Sequence, residues 1–182
     1  SLMGYRDDPD FFVFIDVPER VIHERMRYRV VCPLCQTPRN SKLLRTGEIG
    51  YDFKTKEPYL ICDNPACKKA KMVSKEGDEL GIEAIRERIE VDENVIQTLL
   101  GFDGIPKIYL RNTVPADKAS QYVDDYEITP SYRYEWSEKE GRVQVMEEPW
   151  IVKDDSGVPS YSLLSQPVAV ALIKNIAQTL GL

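Results

Sequence analysis

The cysteines constrain this chain more than any other feature. All four occur as two pairs, Cys32-Pro-Leu-Cys35 and Cys62-Asp-Asn-Pro-Ala-Cys67, separated by 26 residues rich in Tyr, Lys, Gly and Pro. Two thiolates on one tight turn both reach an ion at about 2.3 Å, and two such turns brought together complete a tetrahedral four-sulfur shell that suits Zn²⁺. The rival readings are two disulfides, four unrelated buried thiols, or an iron–sulfur cluster. Disulfides lack a secretory context here, and a redox Cys-x-x-Cys leaves the second pair unexplained. Four bound thiolates leave no coordination position open. The site therefore reads as structural, with Cys32, Cys35, Cys62 and Cys67 contributing folding free energy through the metal.

No stretch approaches the roughly 18 uninterrupted apolar residues of a membrane span, and the N-terminus lacks the basic, apolar, small-residue order of a secretory signal. A cytoplasmic location with no membrane partner is the expectation. Ser1 and Leu2 ahead of Met3 read as a leftover of expression. The 42% hydrophobic content is enough for a real core in 182 residues. The formal charge of −6 argues against a dedicated nucleic-acid coat, yet Arg39 to Lys75 holds nine Lys or Arg against four acids. Such a basic island meets phosphate or is a solvated face.

Along the chain, Phe11-Phe-Val-Phe-Ile15 reads as a strand buried on both faces, as parallel strands are. Pro18 and Glu19 suit the first turn of a helix carrying Val21, Ile22, Met26 and Val30. Short ribbon strands are expected around the cysteines. Asp78 or Glu79 then opens a second helix through Leu80, Ile82, Ile85, Ile89, Ile96, Leu99 and Leu100, with Gly101 as its stop. Ile105-Pro-Lys-Ile-Tyr-Leu110 reads as another strand, and Val168 to Leu182 as a closing amphipathic helix. Tyr132, Tyr134 and Trp136 alternate before a turn and Val143 and Val145 follow it, which is hairpin grammar. With Trp150-Ile-Val, Asp154-Asp-Ser-Gly157 and Tyr161-Ser-Leu-Leu they suggest a small antiparallel meander. Its aromatics either pack against the exposed side of the sheet or form a surface for a protein partner or self-association. His23 reads as a solvated helix residue. The pairs Asp124-Asp125 and Asp154-Asp155 read as turn formers rather than catalytic dyads.

Taken in order, Phe-Val-Phe-Ile-Asp-Val-Pro-Glu-Arg, an Arg-rich helix end, the Cys-x-x-Cys segment and a helix containing Ile-Arg-Glu-Arg-Ile make the chain similar to a known family. It resembles the C-terminal half of adenylate kinases and related nucleoside monophosphate kinases whose lid carries a zinc ribbon. The likeness covers about Phe11 to Leu110 and the closing helix. It implies an α/β fold: a partial P-loop nucleoside-kinase core of parallel strands flanked by helices (residues 3–31 and 75–112), with an inserted zinc-ribbon lid (32–74). A β-meander insertion (113–164) and a C-terminal helix returning to the core (165–182) would complete it. The resemblance implies phosphoryl transfer from ATP, with Mg²⁺, to a nucleoside monophosphate. In it, Arg25 and Arg29 bind the nucleotide phosphates at the lid entrance, and Arg29 and Arg88 stabilise the transferring group. The other reading of all three is that they are solvated helix arginines.

Two departures stand out. The family's Arg before an Asp pair is here Lys75-Glu-Gly-Asp78-Glu79, and no Gly-x-x-x-x-Gly-Lys-Ser/Thr occurs in the chain. The phosphate cradle is thus absent, so the sequence reads as a fragment that begins mid-fold and is inactive alone, or as a half that has lost catalysis. The alternative is a non-catalytic zinc-ribbon module. It would bind a protein partner, or nucleic acid through Arg39, Lys42, Arg45, Lys54, Lys56, Lys68, Lys69 and Lys71.

Overall fold

The computed structural model describes residues 10–182; Ser1 to Met3 and the start of the 3–31 segment lie outside the described residues. The fold is mixed α/β, with three α-helices and many short strands among the described residues. One strand pair is parallel. Strand β1 (Phe12–Asp16) runs beside β7 (Lys107–Arg111), in register from Phe12 opposite Lys107 to Asp16 opposite Arg111. The apolar run makes the expected strand, but not one buried on both faces. Only Phe14 is buried, while Val13 and Ile15 are exposed, because β7 is the one strand paired to β1 among the described residues. Both faces of a parallel strand are covered only when helices or further strands lie on them. The remaining sheets are small and antiparallel, and no phosphate-loop core is evident among the described residues.

Helix α1 (Glu19–Arg27) starts after Pro18, whose missing N–H costs nothing there. The Glu19 N–H donates to Asp155 Oδ1 at 3.0 Å, so a carboxylate from a distant turn sits at the positive helix end. Val21 is fully buried among Leu43, Trp150 and Val152. Truncating such a side chain costs about 2–5 kcal/mol for a Leu or Ile and somewhat less for a Val. The helix ends at Tyr28, and Val30 belongs to strand β2 (Arg29–Val31) instead of extending it.

Between α1 and residue 78 the chain forms the cysteine subdomain. Here β2 pairs with β3 (Pro38–Asn40), β4 (Ile49–Asp52) with β5 (Glu57–Leu60), and β6 (Val73–Ser74) returns to β2. These are the short ribbon strands expected around the metal ligands.

The expected long helix from Asp78 is broken. Asp78–Ile85 is 3₁₀ with a kink at Gly81 (φ 58°, ψ −131°), and only then does α2 run from Arg86 to Leu100. The reason is His23, which is not a solvated residue. Its Nδ1 would lie 2.6 Å from a Cβ at Gly81, and it accepts the Ile82 N–H at 3.5 Å. Gly81 thus supplies both the positive φ and the space for the ring. Gly101 caps α2 as expected.

Beyond β7, strand β8 (Thr113–Pro115) was not foreseen. The hairpin strands are β9 (Pro130–Ser137) and β10 (Arg142–Pro149), followed by β11 (Ile151–Lys153), β12 (Pro159–Ser162) and helix α3 (Ser165–Leu180). The expected single meander is two sheets, β10-β9 and β11-β12-β8. Asp154 acts as the turn former its spacing suggested. Its Oδ1 accepts the N–H groups of Ser156 and Val158 at 3.0 and 2.9 Å. Helix α3 packs on β7, joining Val168 to Ile108, Leu110, Val114 and Leu163 in one core cluster.

The hairpin aromatics do not cover the β1–β7 sheet; they lie on the cysteine subdomain. Trp136 stacks on Tyr51 with centroids 4.8 Å apart, Phe53 meets the same indole edge-on at 5.0 Å, and Tyr134 packs against the cysteine core. No helix among the described residues is long and apolar enough to cross a membrane.

Candidate metal centre

The first cysteine turn is closed by Gln36 N–H donating to the Cys32 carbonyl at 3.0 Å, with Gln36 in the left-handed region (φ 58°). The second is a 3₁₀ turn, Pro65–Cys67, capped by Asn64, whose Oδ1 accepts the Ala66 N–H at 3.0 Å. Cys62 N–H donates to the Ala70 carbonyl and Met72 N–H to that of Leu60, both at 2.9 Å, which folds this turn back onto the ribbon. Asp63 links the two parts. It accepts from Arg39 at 3.1 Å and from Gly47 N–H at 2.8 Å.

The result brings all four expected ligands together. The four sulfurs lie within 4.8 Å of one another, and Cys35 Sγ and Cys62 Sγ are 3.7 Å apart. Sulfurs held about 2.3 Å from a central ion in a tetrahedron are about 3.8 Å apart, whereas a disulfide needs about 2.05 Å. All four thiols are unbridged. Cys32, Cys62 and Cys67 are buried and Cys35 partly so, among Leu60 and Met72.

The thiols are poised unequally. The Cys35 thiol is drawn down to about 6 by the Thr37 hydroxyl, 3.1 Å away, and by the Thr37 N–H. The Cys35 and Leu34 N–H groups lower Cys32. Burial, reinforced by its three sulfur neighbours, pushes Cys67 up to about 12. Four clustered thiols, three buried and one partly so, with two pulled toward thiolate, form a cage whose negative charge a divalent ion offsets. A metal ion fits this shell, and its soft donors suit zinc.

The three arginines are placed differently from one another. Arg29 gives Nε and Nη2 to Asp78 at the far end of the subdomain, the Nη2 bond being 2.7 Å, which raises its pKa further. Arg25 donates through Nη2 to Ser162 Oγ at 3.3 Å, and desolvation at this junction lowers its pKa. Arg88 lies on the outer side of α2, 81% exposed, 3.9 Å from Asp92. Arg86, which sequence reasoning passed over, is the helix arginine that reaches α1, pairing with Glu83 and with Glu19. The basic island is partly neutralised: Lys42 pairs with Glu24, Lys69 with Glu48 and Lys71 with Asp52.

Comparison of the chain with protein-family models, with curated proteins and with solved structures returned no match.

Proposed function

We propose that residues 32–74 are a zinc-stabilised flap of a nucleoside monophosphate kinase-like protein, closing over the phosphates of ATP and its acceptor. The observation that carries this reading is the four-sulfur cage, inserted between the helix bearing Arg25 and the segment that leads to α2. Zinc is structural in this reading, because four thiolates leave it no position for substrate. Phosphoryl transfer is chiefly positioning and charge stabilisation, so the reading assigns Arg25 and Arg29 to phosphate oxygens, with Mg²⁺ arriving on ATP. In the same reading Arg88, exposed on α2, stabilises the transferring group. The reading calls for a phosphate cradle, and no Gly-x-x-x-x-Gly-Lys-Ser/Thr occurs within these 182 residues.

The test is turnover by the protein with Mg²⁺–ATP and each nucleoside monophosphate in turn, alongside Arg25→Ala. The expected result is transfer to at least one acceptor, reduced about a hundredfold or more in the variant. Absence of transfer to every acceptor contradicts the reading.

A further inference from the structure

Two clefts carry opposite charge. The larger, about 650 Å³, lies between β1 and α2 and is lined by Asp16, Glu19, Asp92, Glu93 and Asp155 with no Lys or Arg. The other, about 310 Å³, lies where the cysteine subdomain meets strand β9. Its lining includes Tyr28, Tyr59, Tyr132 and Tyr134, with Lys42 and Arg133 and no acid. An anion is repelled by the first and accepted by the second.

The tyrosine cleft is built with care at several points. Gly50 opens the space for one wall, since a Cβ there would lie 2.3 Å from the Tyr59 ring. Cations sit on three of the rings: Lys71 Nζ over Tyr59 at 4.5 Å, Lys42 Nζ over Tyr28 at 5.2 Å, and Arg45 over Tyr132 at 5.5 Å. Lys42, Lys71 and Arg133 are held by carboxylates. Arg45 donates to the Thr46 carbonyl and lies against Tyr132, to whose side chain it also hydrogen-bonds, and Arg27 lies on Tyr28. Neither forms an ion pair among the described residues. Flat aromatic walls rimmed by unpaired guanidinium groups fit a flat, electron-poor ring that carries a phosphate.

We propose that this cleft binds a nucleobase, stacked on the tyrosines, with its phosphate at Arg45 and Arg27. Free nucleotide and single-stranded nucleic acid share that chemistry. The site requires no phosphoryl transfer, so it stands or falls apart from the kinase reading.

Two photoreactive probes separate the sources: an 8-azidoadenosine nucleotide, and a ten-nucleotide single strand carrying 5-iodouracil. Each is irradiated with the zinc-loaded chain and the adducts are mapped by mass spectrometry. Adducts on the peptides holding Tyr28, Tyr59, Tyr132 or Tyr134 are expected. From the nucleotide alone they assign a free nucleotide, and from the strand alone a single-stranded nucleic acid. Adducts confined to other peptides, or none with either probe, overturn the proposal. In a binding titration Tyr132→Ala is expected to weaken the reactive probe about tenfold, while Tyr132→Phe, which keeps the ring, changes it little. Equal weakening by both variants overturns the stacking. Because the mapping uses the unsubstituted chain, it decides the matter even if Tyr132→Ala fails to fold.

Discussion

Arg29 and Asp78 close a two-pronged ion pair across the neck of the cysteine subdomain, Nη2 of the arginine lying 2.7 Å from Oδ1 of the carboxylate. The carboxylate side chain is 8% exposed and the guanidinium 38%. The backbone runs alongside, with Lys75 N–H donating to the Arg29 carbonyl at 3.3 Å. The pair therefore reinforces the closure that β2 and β6 make between the two ends of the insertion.

Breaking a fully buried pair by removing one partner costs about 3–5 kcal/mol; with one side open to water, Asp78→Asn is expected to cost about 1–3 kcal/mol in urea unfolding. Arg29→Lys is expected to cost nearly as much as Arg29→Ala, because an ammonium cannot reproduce the two parallel bonds. Full retention of stability in Asp78→Asn contradicts this role.

Gly81 and Gly77 both have positive φ, yet they differ in surroundings. A Cβ at Gly81 meets His23, whereas one at Gly77 meets nothing within 4 Å. Gly77→Ala is expected to cost only the conformational strain of about 1–2 kcal/mol. Gly81→Ala is expected to cost more, and thermal unfolding of the two variants side by side tests the difference. Pairing Gly81→Ala with His23→Ala should recover part of the loss.

Tyr134 carries a buried hydroxyl with no hydrogen-bond partner among the described residues. Tyr134→Phe is therefore expected to be neutral or to stabilise by about 1 kcal/mol. Burial also pushes the phenol up to about 12 from its ordinary 10.0. Between those values the unfolded chain has released a proton that the folded chain keeps. The contribution is thus complete below about pH 10 and is lost as pH rises toward 12. The alkaline decline in stability should be shallower in Tyr134→Phe.

Much of this was legible in residues close together in sequence. The two cysteine pairs announced their cage because metal geometry acts through turns of a few residues, and the apolar run of β1 and the alternation of β9 follow from local periodicity. What could not be read depends on meetings across long separations. The 3.6-residue pattern through Leu80 and Ile82 predicted one helix, and it took His23, brought against Gly81 from α1, to break it. Alternation told that Tyr134 and Trp136 share a surface, but not that the surface lies on Tyr51 and the cysteine core instead of the β1–β7 sheet. Strand β8 escaped notice because Thr113–Pro115 is too short for a period to show. Among the arginines, the family resemblance drew attention to Arg88, whereas the contact with α1 belongs to Arg86.

The most direct test of the whole account is elemental analysis of the purified chain combined with thiol counting. One zinc per chain is expected, with all four thiols shielded from alkylation until a strong chelator removes the metal and cooperative unfolding is lost with it. A chain that holds no metal, exposes its thiols freely and still unfolds cooperatively would contradict the account.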